Sequence, residues 1–281
     1  MRSRHVKGGL AHGAFLLSAL VGIVVLGVLL YDIVRDGWPW LTWDFLENFP
    51  SRFPARAGIK SALYGTAWSI VLTALVAVPL GIGAAVYLEE FTKPNLIRRV
   101  IDINIANLAG VPSIVYGILG LAIFVRFFML GRSLLAGALT MALLILPAII
   151  ITTRESLKAV PDSLRMAALA LGATKVQTVW AQILPQAMPG IMTGIILALS
   201  RAIGETAPLI MIGALSFVAF IPSGPMDSFT VLPIQIFNWA SRPQDEFHQI
   251  AAAAIIVLLA ILLLSNGIAL YVRQKLQRRR Q

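Results

Sequence analysis

Five stretches of this chain, 13–31, 61–88, 103–125, 133–153 and 250–272, contain no Asp, Glu, Lys or Arg, and a sixth, 186–220, contains only Arg201 and Glu205. A helix needs about 20 residues to cross the hydrocarbon core of a bilayer, and each stretch meets or comes close to that length. Lipid offers no hydrogen-bond partners, so the backbone inside it must pair with itself. The expected fold class is therefore an all-α polytopic membrane protein with six transmembrane helices. Composition agrees: 58% of the 281 residues are hydrophobic and 13% charged, against about 25% charged in a soluble domain.

The distribution of Lys and Arg suggests the orientation. With both termini on one side, the segments on that side (1–12, 89–102, 154–185 and 273–281) hold 15 basic residues, and those on the other side hold 7. The positive-inside tendency then predicts cytoplasmic termini. The net charge of +10 is a topology signal and does not point to nucleic acid. The tail Arg278-Arg279-Arg280 is expected near anionic lipid. The chain has no Cys, which excludes disulfides and thiolate metal sites. The first apolar run is long for a signal-peptide core and lacks a convincing small-residue cleavage site, so it is expected to remain as the first helix.

Residues 1–60 are expected to hold the first helix and an outer segment, in which Trp38, Trp40 and Trp43 serve as interfacial anchors. Residues 61–281 are expected to form a five-helix core. Pro79, Gly81 and Gly83 predict a kink and a close-packing face in the second run. The connector 89–102 mixes both signs and is expected to be a solvated surface segment. The third run, read as one helix, opens over 104–117 with Asn104, Asn107, Pro112, Ser113 and two glycines, which suits packing on protein or lining a path better than facing lipid. The run 186–220 is too long for one straight span, and Pro208 is its expected break. A short helix is expected over 232–240.

Between the fourth and fifth runs lies the mixed segment 154–189. Pro161 suits a first helical position, with Asp162 favourably placed in the first turn. A helix over 164–171 is expected to stop at Gly172, a residue suited to a left-handed cap. Thr174 and Gln177 have capping-box spacing, and Pro185 and Pro189 are expected to interrupt the path beyond. Two short helices joined at a glycine elbow suit docking into another protein, although an ordinary amphipathic connector would have the same pattern. The segment resembles the EAA loop of ABC importer permeases. Met166-Ala167-Ala168, Gly172 and Ile183-Leu184-Pro185 fall on that pattern, with Met166 where the family usually has Glu. The resemblance implies the ABC type I importer permease fold. It also implies that Met166, Ala167, Ala168, Leu169, Ala170, Leu171 and Gly172 couple the chain to an ATPase.

Arg201 and Glu205 are four residues apart, the spacing that lets side chains pair on a helix. A charge near the bilayer centre costs about 2.5–3.5 kcal/mol on insertion scales, so the pair is expected to face a bundle interior or an aqueous cavity. It could be a structural lock, or Arg201 could be a fixed positive charge on an anion path with Glu205 holding it. Arginine suits the second role, being always charged and presenting a planar fork of donors to oxyanions. Ser200-Arg201-Ala202-Ile203-Gly204-Glu205-Thr206-Ala207-Pro208-Leu209 and the stretch from Asn107 to Gly117 are similar to the phosphate-specific ABC permeases of the PstA type, a likeness that extends from about the second helix to the sixth. The resemblance implies a multi-pass subunit of the bacterial inner membrane that imports inorganic phosphate. Its implied partners are a second permease of the PstC type, two ATPase subunits and a periplasmic phosphate-binding protein. The residues expected along the path are Arg201, Glu205, Ser200, Thr206, Asn107 and Ser113. No GxxxxGK[ST] loop occurs, so ATP and magnesium are expected in the partner subunits, with no cofactor and no catalytic residue in this chain. The rival readings are a permease for sulfate, molybdate or phosphonate, an autonomous anion channel or carrier, and a membrane anchoring protein.

Overall fold

A computed structural model describes residues 2–214 and 217–278. The side chains of the basic tail, Arg278, Arg279 and Arg280, lie outside what it describes. Among the described residues every regular element is helical. Helix α1 (Arg2–Gly37) is followed by α2 (Trp43–Glu47), and α3 (Lys60–Val86) continues into a π-helical turn, Tyr87–Phe91. Next come α4 (Leu96–Ala109) and α5 (Ser113–Gly120), the latter extended by a second π-turn, Leu121–Phe127. Helix α6 (Leu134–Lys158) leads to α7 (Asp162–Ala170) and α8 (Lys175–Thr178), which runs through a third π-turn, Val179–Ile183, into α9 (Leu184–Gly204). The chain closes with α10 (Ala207–Ile212), α11 (Leu232–Ala240) and α12 (Asp245–Arg278). Five of these helical stretches are long and apolar enough to cross a membrane, and the bent pair α4–α5 makes a sixth.

Helix α6 lies at the centre, packed between α3 and α9. Small residues make the approach close. A Cβ on Gly81 of α3 would fall 2.6 Å from Ile149, and one on Gly190 of α9 would fall 2.5 Å from Ser156. Gly194 faces Thr152 in the same way, one turn along. Ala77, Ile145, Ile149, Ile191 and Ile195 fill the space between these helices. A second cluster, built on Phe45, Ile59, Trp239, Phe247 and Ile250, joins the segment after α1 to α11 and α12. The short helix expected over 232–240 is α11.

The first N–H groups of α6, which have no partner within the helix, are met from a distant loop. Leu134 N donates to Asp227 O at 2.9 Å and Leu135 N to Pro225 O at 2.7 Å. That loop is itself tied by the Asp227 carboxylate, which accepts from the Ser223 hydroxyl, Ser223 N and Gly224 N. These donors hold Asp227 below the usual carboxylate range. Beside it, Thr66 Oγ1 of α3 accepts from Leu232 N at 2.9 Å, and Gly65 lies directly against the Thr230 carbonyl, leaving no room for a methyl group. Gly65→Ala is therefore expected to separate α3 from this segment at a cost of about 3 kcal/mol, read as reduced yield of folded protein and a lower melting temperature in detergent.

Three expectations about prolines need correction. The third apolar run is not one helix, since α4 and α5 meet at 104°. Pro112 has no N–H and disfavours helical geometry at Val111, and the corner is held by the Tyr116 hydroxyl donating to Leu108 O at 2.7 Å. The long fifth run breaks at Glu205 and Thr206, not at Pro208, which lies in the first turn of α10. A proline ring clashes with the carbonyl four residues back, here that of Gly204, and α9 ends at that residue. Pro185 and Pro189 do not interrupt the path at all. Residues Lys175–Gly204 form one continuous helical stretch, because the wider π-turn just before Pro185 shifts the backbone pairing where an N–H is missing; Leu184 N already donates five residues back, to Val179 O.

Candidate translocation and coupling sites

The described part of the chain carries charge within or against its bundle in two places, one at the C-terminal end of α9, level with the middle of α6, and one at the end that bears α7 and α8. The contacts Gly190–Ser156 and Gly194–Thr152 show α9 and α6 antiparallel in a constant register. Continued along α9, that register sets Arg201 level with Ile145, near the middle of the 25-residue α6.

Arg201 Nε pairs with Glu205 Oε1 at 3.2 Å. The pairing expected from the spacing is present, but its geometry differs. Glu205 is the residue that closes α9 and is extended, with ψ 129°. The pair is also not fully buried: the Glu205 side chain is 17% exposed and that of Arg201 58%. Among the described residues neither Nη group of Arg201 has a hydrogen-bond partner. The guanidinium is therefore held by its Nε edge, and its outer fork is open on the surface of the single chain.

The other path residues named from sequence are not joined to this pair by hydrogen bonds among the described residues. The Ser200 hydroxyl bonds to the Ile196 carbonyl and to Asn266 of α12, a contact that ties two helices. Thr206 is half-buried at the α9–α10 break. Asn107 is exposed beside the α4–α5 corner, where its carbonyl accepts from Gly110 N, and Ser113 opens α5. Helix α5 packs on α10 through Gly117 and Pro208, and its Tyr116 is within electrostatic reach of Arg201.

At the loop-bearing end, α7 begins at Asp162 with Pro161 as its N-cap, so the helix starts one residue later than the expected first position at the proline. It ends in a full Schellman arrangement: Gly172 N donates to Leu169 O at 3.0 Å and Ala173 N to Ala168 O at 3.1 Å. Gly172 has φ +83°, the left-handed conformation expected of it. Thr174 and Gln177 form the expected capping box. No residue of α7 is buried, and Met166, Leu169 and Leu171 project from the loop with exposures of 67%, 47% and 89%.

The connector 89–102 is mostly exposed, as expected of a surface segment, but Glu89, Glu90, Arg98 and Asp102 on it are wholly or partly buried in an ion network. Arg154 of α6 grips both oxygens of Asp102 and also reaches Glu89 Oε2 at 3.2 Å. Arg98 meets the same Glu89 oxygen at 3.1 Å. The neighbouring Glu90 turns the other way and pairs with Arg165 of α7 at 2.8 Å. That hydrogen bond, aided by the nearby charges of Glu90 and Asp162, outweighs partial burial and pushes Arg165 above its ordinary pKa. Sequence reasoning missed these residues. The available signal was that opposite charges stand at the ends of two apolar runs, Glu89 and Glu90 after one and Arg154 after another.

The sequence pattern of the binding-protein-dependent transport system inner membrane component matches residues 77–278, the part of the chain that holds both sites. The chain belongs to that family. Full-length relatives of this permease include the phosphate transport system permease protein PstA 1 of Mycobacterium tuberculosis (strain ATCC 25618 / H37Rv). It is 33% identical over 99% of this chain and 91% of its own length. PstA of Pasteurella multocida (strain Pm70) is 32% identical over 97% and 96%. Among solved structures, a chain of a bacterial alginate ABC transporter, in complex with an alginate pentasaccharide-bound periplasmic protein, superposes with a TM-score of 0.67. That match is 15% identical and covers 95% of this permease and 94% of the other chain, a likeness of fold alone.

Proposed function

We propose that this permease is the PstA-type subunit of an ATP-driven importer of inorganic phosphate in the bacterial inner membrane. It forms half of the translocation path with a second, PstC-type permease. Of two ATPase subunits, which hold ATP and magnesium, one docks on the α7–α8 loop, and a periplasmic phosphate-binding protein delivers the anion. The observation that carries this reading is Arg201, midway along the bundle and more than half exposed on the single chain. A guanidinium facing hydrocarbon is costly, so a second protein surface or a watered path must cover it. Its open fork matches two oxygens of a tetrahedral oxyanion. The names of the relatives favour phosphate.

Orientation follows from the basic residues, with the loop 154–189 and both termini in the cytoplasm. The deciding experiment reconstitutes the four kinds of subunit in proteoliposomes. It measures uptake of radiolabelled phosphate and ATP hydrolysis with the loaded binding protein outside. Phosphate-dependent hydrolysis with uptake supports the reading. Sulfate- or molybdate-dependent hydrolysis without phosphate uptake would replace the substrate, and label reaching Lys158→Cys from outside sealed cells would reverse the topology.

A further inference from the structure

The π-turn Tyr87–Phe91 at the end of α3 holds the α7–α8 loop on both sides of its glycine elbow. Before Gly172, Glu90 Oε1 accepts from Arg165 Nη2 at 2.8 Å. After it, the Lys175 ammonium lies 5.5 Å from the centre of the Phe91 ring, a cation–π distance. Arg165 is the more constrained of the two contacts. Its Nη1 donates to Val160 O at 2.8 Å and to Asp162 Oδ1 at 2.9 Å, and its Nη2 donates to Leu157 O at 2.9 Å as well as to Glu90. All four terminal N–H groups are used. One binds the last turn of α6 at Leu157, one the link at Val160, one the first turn of α7 and one the π-turn that ends α3, so three helices meet on one planar group.

The adjacent Glu89 faces away from this junction, into the network of Arg98 and Arg154. Two neighbouring carboxylates thus serve α7 on one side and α4 with α6 on the other. The wider turn of a π-helix is frequent at functional sites, and here it gives one short segment contacts with four helices. Helix α3 itself carries Pro79 twelve residues from the turn's end at Phe91, a place where a long helix can bend.

We propose that Arg165 is a positioning residue that locks the coupling loop to the end of α3, so that displacement of α7 is passed into α3 and the Glu89 network as one body. This rests on the coupling role proposed above for the loop. A guanidinium suits the task because its planar fork fixes four directions at once, whereas an ammonium has three donors and no fixed plane.

Two readouts separate this proposal from the reading it rests on. In the purified permease alone, Arg165→Gln is expected to raise amide hydrogen exchange across residues 162–171 about 10-fold or more, with exchange in the middle of α6 unchanged. In the reconstituted complex, the same variant is expected to keep basal ATP hydrolysis while the stimulation by the loaded binding protein falls roughly 10-fold. Arg165→Lys should recover part of that ratio, and Glu90→Gln should shift it in the same direction as Arg165→Gln. Lys158→Gln removes the same charge from an exposed pair at the same end and should behave as wild type. If Arg165→Gln fails to assemble, Glu90→Gln and Arg165→Lys decide the matter by the same ratio. Unchanged exchange in the isolated permease, or assembled variants with the wild-type stimulation ratio, would overturn the proposal. A wild-type complex unresponsive to phosphate but stimulated by another oxyanion would change the substrate alone, and the variants would be read with that anion.

Discussion

Arg201→Gln is expected to lower phosphate uptake about 100-fold while the permease still inserts and assembles. Hydrogen bonds to a charged group are worth about 1.5–3 kcal/mol each, and 2.7 kcal/mol corresponds to about two decades in rate. Assembly should survive because the Arg201 side chain is 58% exposed and engages Glu205 through Nε alone. Arg201→Lys should retain part of the activity, keeping the charge without the fork. Glu205→Gln should be milder, since a neutral amide oxygen can still accept from Nε. The double variant Arg201→Met/Glu205→Leu removes both charges and separates the two roles: assembled but inert protein supports an anion path, and wild-type uptake would make the pair a structural lock. Uptake in proteoliposomes, set against the amount of co-purified complex, measures both quantities.

Gly172→Val should uncouple the permease from its ATPase by a different physical route. A Cβ at Gly172 would meet nothing within 4 Å, so steric exclusion plays no part. The obstacle is the backbone, because φ +83° is open to glycine and costs an L-residue about 1–2 kcal/mol, and more for a β-branched one. Relieving that strain undoes the Schellman bonds to Leu169 O and Ala168 O and rotates α7 relative to α8. Uptake is expected to fall at least tenfold, with normal insertion and weakened co-purification of the ATPase. Gly172→Asn should be tolerated far better, since asparagine visits the left-handed region. Met166→Glu should be neutral, because Met166 is 67% exposed. Full uptake with full ATPase retention in Gly172→Val would remove the elbow from the mechanism.

What could be foreseen from sequence divides by distance along the chain. The Thr174–Gln177 capping box and the turn at Gly172 depend on residues three to five apart, and both were legible. So was the number of spans, which follows from run length, and the pairing of Arg201 with Glu205. Proline effects were legible only in kind. Pro208 does end α9, but through the carbonyl four residues back, and Pro185 is absorbed by a π-turn that no local pattern announced. The network of Glu89, Glu90, Arg98, Asp102, Arg154 and Arg165 was missed, because Arg154 and Asp102 are brought together only by the packing of α6 on α4. The exposure of Arg201 was hidden for a related reason. A charge in an apolar run implies cover, and the single chain leaves more than half of the Arg201 side chain exposed.

Helix α1 has a consequence for how the chain is made. It rests on α12 where Gly37 approaches the backbone of Ala253 to a would-be Cβ distance of 2.6 Å, and the apolar window of its span has no buried residue. Among the described residues its helical neighbour is thus synthesised about 215 residues later, or roughly 10–40 s at ordinary elongation rates. Throughout that interval α1 must remain in lipid without a helix from its own chain to shield it. The absence of any Asp, Glu, Lys or Arg from 13–31 makes that wait possible, so the plainest stretch of the sequence carries a requirement of biogenesis before it carries one of transport.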